Sequence, residues 1–131
     1  MGGRMSLSWE SLQSAEYAAV YYIQPEDGGL VKIGSSSNVR NRLKNIQLVS
    51  PVPLTLIAVR FAYSPVSGLN NWQYVQQIER GEHDMWARFR RHGEWFEPAP
   101  ALMRHIFYQE VVELPLLSLT RDRGSELDQA A

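Results

Sequence analysis

The sequence predicts an α/β (α+β) domain with a small three-stranded antiparallel sheet flanked by helices. Three observations carry that expectation. Ala19 to Ile23 and Val31 to Ile33 are short runs rich in β-branched and aromatic residues, and Pro25-Glu26-Asp27-Gly28-Gly29 between them is a cluster of turn formers. That pattern reads as a β-hairpin. Leu54 to Tyr63 is apolar on both faces, as expected of a central strand. The hairpin and the 54–63 strand are each followed by apolar residues at helical spacing.

In chain order, residues 1–17 read as a polar extension, with Ser8 and Glu10-Ser11-Leu12 able to open a short helix. Gly34 closes the second strand of the hairpin, and Ser35-Ser36-Ser37-Asn38 offers several N-caps. Val39, Leu43 and Ile46 then recur on one helical face, with Arg40, Arg42 and Lys44 between them. Pro51 and Pro53 end that helix, because the residue before a proline avoids the α region. After the 54–63 strand, Pro65 and Gly68 mark a loop up to Asn70.

A long helical pattern is expected from about Asn71 to Arg91. Its wheel places Trp72, Tyr74, Val75, Ile78, Met85, Trp86 and Phe89 on one arc. Glu79 and His83 lie one turn apart on the border of that arc. Glu82 falls inside it, and must be paired, turned outward or part of a site, since a buried lone carboxylate is costly. Gly81 costs about 1 kcal/mol relative to alanine there. Gly93 reads as the stop signal of this helix, with Trp95 and Phe96 returning to the core. A further helix from Pro98 or Pro100 to about Val112 would turn Leu102, Ile106 and Val112 inward. The expected organisation is an extension over 1–17, a domain over 18–112, and a tail over 113–131, disordered at its polar end.

A chain of 131 residues, 44% hydrophobic and 21% charged, is one domain's worth with a modest core. No apolar run approaches the ~20 residues of a membrane span, and the N-terminus lacks a signal-peptide core. Without cysteine there is neither a disulfide nor a thiolate zinc site. A cytoplasmic protein with no membrane partner is the expectation. The net charge of −1 is uneven. Between Leu30 and His105 ten Lys and Arg face five acids, so the middle of the chain is about +5. A basic body suits a polyanion such as DNA, although a solvated charged surface explains charge equally well on its own.

Tyr21, Lys32-Ile33-Gly34 and Arg42 resemble the motif of the GIY-YIG nuclease superfamily. Tyr21 precedes Lys32 by eleven positions and Arg42 follows it by ten, which matches that register. Lys32 departs from the superfamily's tyrosine and looks like the phage-type branch, whose second half reads Val-Lys-Ile-Gly. Glu79 and His83, four apart before Gly93-Glu94-Trp95-Phe96, resemble the same branch, while Glu82 stands where it tends to carry an apolar residue. The resemblance spans residues 18 to 97. It implies a GIY-YIG endonuclease-like fold and metal-dependent cleavage of DNA at a single Mg²⁺ or Mn²⁺.

The implied site comprises Tyr21, Lys32, Arg42, Glu79 and His83. Glu79 offers a hard oxygen ligand to the metal, and Arg42 a bidentate fork for the scissile phosphate. Tyr21 is the implied acceptor of the nucleophile's proton. A phenol of pKa about 10 needs help for that, and Lys32 would supply a neighbouring cation or be the base itself. His83 would serve as second base or orienter. Arg40, Lys44, Arg88 and Arg91 are the expected backbone contacts.

Each of these residues has an ordinary alternative. Tyrosine is favoured in strands, a strand-end lysine guards an edge, and exposed Glu–His or arginine side chains on helices are common. Two other function classes remain open, a DNA-binding module that does not cut and a protein-interaction domain. The superfamily usually couples its catalytic unit to a separate recognition domain. None is evident here, so specificity is expected to be low or supplied by a partner protein. Oligomeric state is not legible.

Overall fold

The computed structural model describes Trp9, residues 18–62 and residues 70–120. The expected short helix near Ser8, most of the 64–70 loop and the last eleven residues lie outside these. The chain runs β1 (Ala19–Pro25), β2 (Val31–Ser36), α1 (Val39–Val49), β3 (Leu54–Phe61), α2 (Asn71–Met85), a 3-10 turn (Ala87–Phe89), β4 (Arg90–His92), β5 (Trp95–Phe96), α3 (Pro100–Phe107) and β6 (Glu110–Pro115).

Among the described residues the sheet has six strands in the order β4-β5-β2-β1-β3-β6, each neighbouring pair antiparallel. This corrects the expected three-stranded sheet. The hairpin and β3 form its centre, β5 and β4 extend it beyond β2, and β6 extends it beyond β3. β4 is wholly exposed and polar, β5 has two residues, and β6 ends in a proline. Strands of three and two residues, as in β4 and β5, carry too few residues for a two-residue alternation to stand out.

Alternation along β1 builds two cores on opposite faces. Val20 and Tyr22 pack with Val75 of α2 and with Leu102 and Ile106 of α3. Ala19, Tyr21 and Ile23 pack with Val39 and Leu43 of α1 and with Leu116 and Leu119 beyond β6. Those two leucines are fully buried, and the Leu116 N–H donates to the Leu54 carbonyl at 2.9 Å. The segment from Pro115 to Leu119, expected to belong to the tail over 113–131, therefore carries core residues. Trp9 joins this face, its Nε1–H donating to Ser118 Oγ at 2.6 Å.

The helix expected over 71–91 ends at Met85. Asn70 and Gln73 close its start as a capping box, while Arg90 and Arg91 lie on β4 instead. Gly93 is not a helix stop. Its φ of 52° serves the two-residue turn joining β4 to β5, which needs positive φ at its first position. The following helix begins with Pro100, stops at Phe107, and hands over to β6. Buried Gln47 anchors α1 to β3, accepting the Leu54 N–H at 2.8 Å and donating to the Val52 carbonyl at 3.1 Å.

Gly34 pairs directly with Tyr21 across the hairpin. A Cβ there would lie 2.5 Å from the Tyr21 ring and hydroxyl. Only glycine lets the ring lie across β2. Gly34→Ala is therefore expected to destabilise the fold by about 2 kcal/mol or more, because Tyr21 is fully buried and cannot swing aside. The shift of the urea midpoint at unchanged m-value measures this.

Candidate active site at the end of strand β2

β5 pairs with β2 only at Val31 and Lys32, and the Glu94 carbonyl takes the next donor, the Ile33 N–H, at 3.0 Å. Among the described residues no strand covers the β2 edge beyond that point, and side chains of α2 reach over it. His83 Nε2 lies 2.8 Å from the Ile33 carbonyl. A carbonyl only accepts, so Nε2 carries a proton in this contact. Glu79 lies one turn earlier. It accepts from the Ser35 hydroxyl, and its Oε2 is 3.7 Å from His83 Nε2.

Glu94, in the β4–β5 turn, completes the cluster. Ligand atoms of Glu79, His83 and Glu94 all lie within 4.8 Å of one another. Glu94 Oε2 is buried with no hydrogen-bond partner. It sits 3.7 Å from Lys32 Nζ, whose side chain is only 14% exposed. Two carboxylates and an imidazole with one orphaned buried oxygen form a donor set suited to a hard divalent cation. The Lys32 ammonium offsets one of the two negative charges.

Tyr21 approaches from the opposite sheet face, over Gly34. Burial pushes its phenol above the ordinary value, against the lowering effect of a hydrogen bond from the Arg42 guanidinium, while nearby Glu94 and Glu79 raise it further. The phenol is thus a proton donor at neutral pH. The expected help from Lys32 toward phenolate is not what the structure provides. Arg42 is the cation on Tyr21, whereas Lys32 pairs with Glu94 and lies 5.5 Å from the Trp95 ring centroid.

The structure thus brings Tyr21, Lys32, Arg42, Glu79 and His83 together around one strand end. Sequence reasoning missed Glu94 and Ser35 as members. In the sequence Glu94 is marked only by its position in Gly-Glu-Trp-Phe, and Ser35 is one of four N-cap candidates that include Asn38. The cap is Asn38, which accepts the Asn41 N–H at 3.2 Å. Among the expected backbone-contact residues, Arg40 and Lys44 flank Arg42 on α1, partly buried. Arg88 lies over the Phe89 ring at 4.7 Å, and Arg91 is ion-paired with Glu97.

Of the alternatives left for Glu82, the structure takes pairing. Its carboxylate, 2% exposed, accepts from Tyr22 Oη at 2.5 Å, His105 Nε2 at 3.0 Å and Arg60 at 3.1 Å. Burial alone would raise this carboxyl, but the His105 and Tyr22 hydrogen bonds and the adjacent charges outweigh it and hold the group below its ordinary 4.5.

The T5orf172 domain matches residues 18–113. No curated protein and no solved structure matches the chain significantly. The match corrects the resemblance to the GIY-YIG superfamily drawn from residues 19–42 and 79–96. A tyrosine strand, a Lys-Ile-Gly strand end and a helical arginine make a short local pattern, and Lys32 stands where that superfamily has tyrosine. The family is decided by the whole domain, and it is a different one. Among the described residues no helix is long and apolar enough to cross a membrane. With its match running from the start of β1 into β6, the chain belongs to the T5orf172 domain family.

Proposed function

We propose that this chain is a divalent-metal-dependent DNA endonuclease that hydrolyses phosphodiester bonds. The observation that carries the reading is the Glu79–His83–Glu94 cluster beside the Tyr21–Arg42 pair. It supplies oxygen ligands for Mg²⁺ or Mn²⁺ next to a guanidinium and a phenol donor, the complement of a phosphodiester. The association of the T5orf172 domain with nuclease-type proteins supports a DNA-related role.

In this reading Glu79, held by Ser35 and His83, is the metal ligand, with Glu94 as the adjoining carboxylate. The bound cation would polarise the phosphate and lower the pKa of an attacking water. Arg42 grips two non-bridging oxygens through its planar fork. Tyr21, kept protonated by burial, donates to the phosphate or to the departing oxygen as charge develops there. Lys32 neutralises Glu94 so that the phosphate can approach two carboxylates. Arg40, Lys44, Arg88 and Arg91 contact the flanking backbone.

Incubation of supercoiled plasmid with the purified protein, with Mg²⁺, with Mn²⁺ and with chelator, tests the reading. Nicking only with metal is expected. The Lys32–Glu94 ion pair favours one second reading, a DNA-binding module that does not cut, because it balances charge at the site without a cation. Salt-sensitive DNA binding with no nicking in either metal would select that module.

Two variants refine the roles. Arg42→Lys keeps the charge and loses the fork, so cleavage should fall about 100-fold with DNA affinity nearly intact. Single-turnover rates beside equilibrium binding measure both. Arg88→Ala with Arg91→Ala should lower the slope of log K against log salt by up to about two, at roughly 0.9 per lost phosphate contact. An unchanged slope places these arginines away from the DNA.

A further inference from the structure

Beside the Arg42 and Lys32 cations a cleft of about 490 Å³ opens between α1, the α1–β3 connection and β5. Its lining includes the partly buried Trp95 ring, with Lys32 Nζ 5.5 Å from the ring centroid, and the aliphatic Ile46, Val49 and Pro51. Val49 is 84% exposed, unusual for an apolar residue at a helix end. Asn45 and Ser50 are the neutral polar residues of its lining. One end of the cleft is therefore cationic, and the rest is an aromatic ring with aliphatic walls.

We propose that this cleft holds one unpaired nucleobase of the bound DNA strand, stacked on Trp95, next to the phosphate gripped by Arg42. The inference rests on the nuclease reading for the position of that phosphate, and adds the substrate class: a strand with an unstacked nucleotide at the cut. The physical basis is a division of labour. Arg42 matches the phosphate charge, whereas Ile46, Val49 and Pro51 offer it nothing and suit a flat apolar ring. The volume lies in the range that accommodates a small organic ligand. A base within a duplex has both faces covered by its neighbours, so only a base out of the stack can meet Trp95. Asn45 is placed to hydrogen-bond the edge such a base exposes.

The test is equilibrium binding in chelator, so that no cleavage intervenes, using three labelled probes. They are dT12, a twelve-unit phosphodiester without bases, and the duplex of dT12 with dA12. The native protein should bind dT12 at least about tenfold more tightly than the baseless strand, as one stacked base contributes about ten- to a hundredfold. Trp95→Ala should bind both strands alike, with the dT12 salt slope and the duplex affinity unchanged, and Trp95→Phe should restore the preference. As Trp95 also packs against the core, Val49→Asn serves as a second variant that cannot disturb folding through buried contacts. It should lower the preference for dT12 at least threefold. Equal binding of dT12 and the baseless strand by the native protein would overturn the inference, as would a preference that survives Trp95→Ala and Val49→Asn. The plasmid assay separates the two readings. Base preference lost at Trp95 without nicking removes the nuclease alone, and nicking with a Trp95-independent preference removes the base cleft alone.

Discussion

Glu79→Gln is expected to reduce metal-dependent cleavage by at least about 1,000-fold, roughly 4 kcal/mol of transition-state stabilisation. The amide keeps the size of the side chain and an oxygen that can still accept from Ser35, so the fold should change by under about 1 kcal/mol. What disappears is the charge a hard cation requires. DNA affinity should stay level or rise, because a negative charge next to the phosphates is gone. Single-turnover cleavage, thermal melting and binding in chelator provide the three readouts. Glu94→Gln is the companion variant. If Glu79→Gln cleaves at the native rate while Glu94→Gln does not, the metal sits on the β4–β5 turn and not on α2.

Glu82→Ala should produce the largest loss of stability, about 3 kcal/mol or more, with a melting temperature lower by roughly 10 °C. The truncation leaves Tyr22 Oη buried without its acceptor and removes the anion shared by His105 and Arg60. Cleavage measured well below the melting point should survive far better than in Glu79→Gln, which separates a structural carboxylate from a chemical one three residues away. A pH signature accompanies the loss. The folded Glu82 carboxyl lies below its ordinary 4.5, so its contribution is complete above that pH and disappears as pH falls through the folded value. Tyr22 lies far above its ordinary 10.0, through burial and the Glu82 charge. Its contribution is complete below pH 10.0 and is lost as pH rises beyond it. Denaturant titrations of the native protein and Glu82→Gln between pH 3 and 7 should converge only at the acid end.

The pair Tyr21 and Tyr22 shows how two such networks fit one domain. Adjacent strand residues face opposite sides, so Tyr21 meets Arg42 near Glu79 while Tyr22 meets Glu82, Arg60 and His105. Helix α2 joins the two sides, with Glu79 and His83 reaching the β2 edge and Glu82 locked beneath the sheet face. Changes to Arg60 or His105 are accordingly expected to affect cleavage only through the stability or orientation of α2.

What the sequence by itself determined is the part encoded by local repetition and turn chemistry. The hairpin, β3, α1 and the apolar arc of α2 as far as Ile78 follow from side-chain period and from Gly and Pro positions, whereas Met85, expected on that arc, is 60% exposed. Glu82 inside that arc was legible as a residue needing partners, because the helical period applies whatever the rest of the chain does. Its partners were not legible, since Tyr22, Arg60 and His105 arrive from β1, β3 and α3, far apart in sequence. The three outer strands were hidden for a related reason. A segment as short as Trp95–Phe96 becomes a strand only when β2 offers it an open edge, and Arg90–His92 only when β5 does. The same edge decided the site. β5 stops pairing after Lys32, which leaves the Ile33 carbonyl to His83 and turns Glu94 inward beside Glu79. Strand pairing between distant segments is a tertiary property, and that is why Glu94 joined the cluster only once the sheet was assembled.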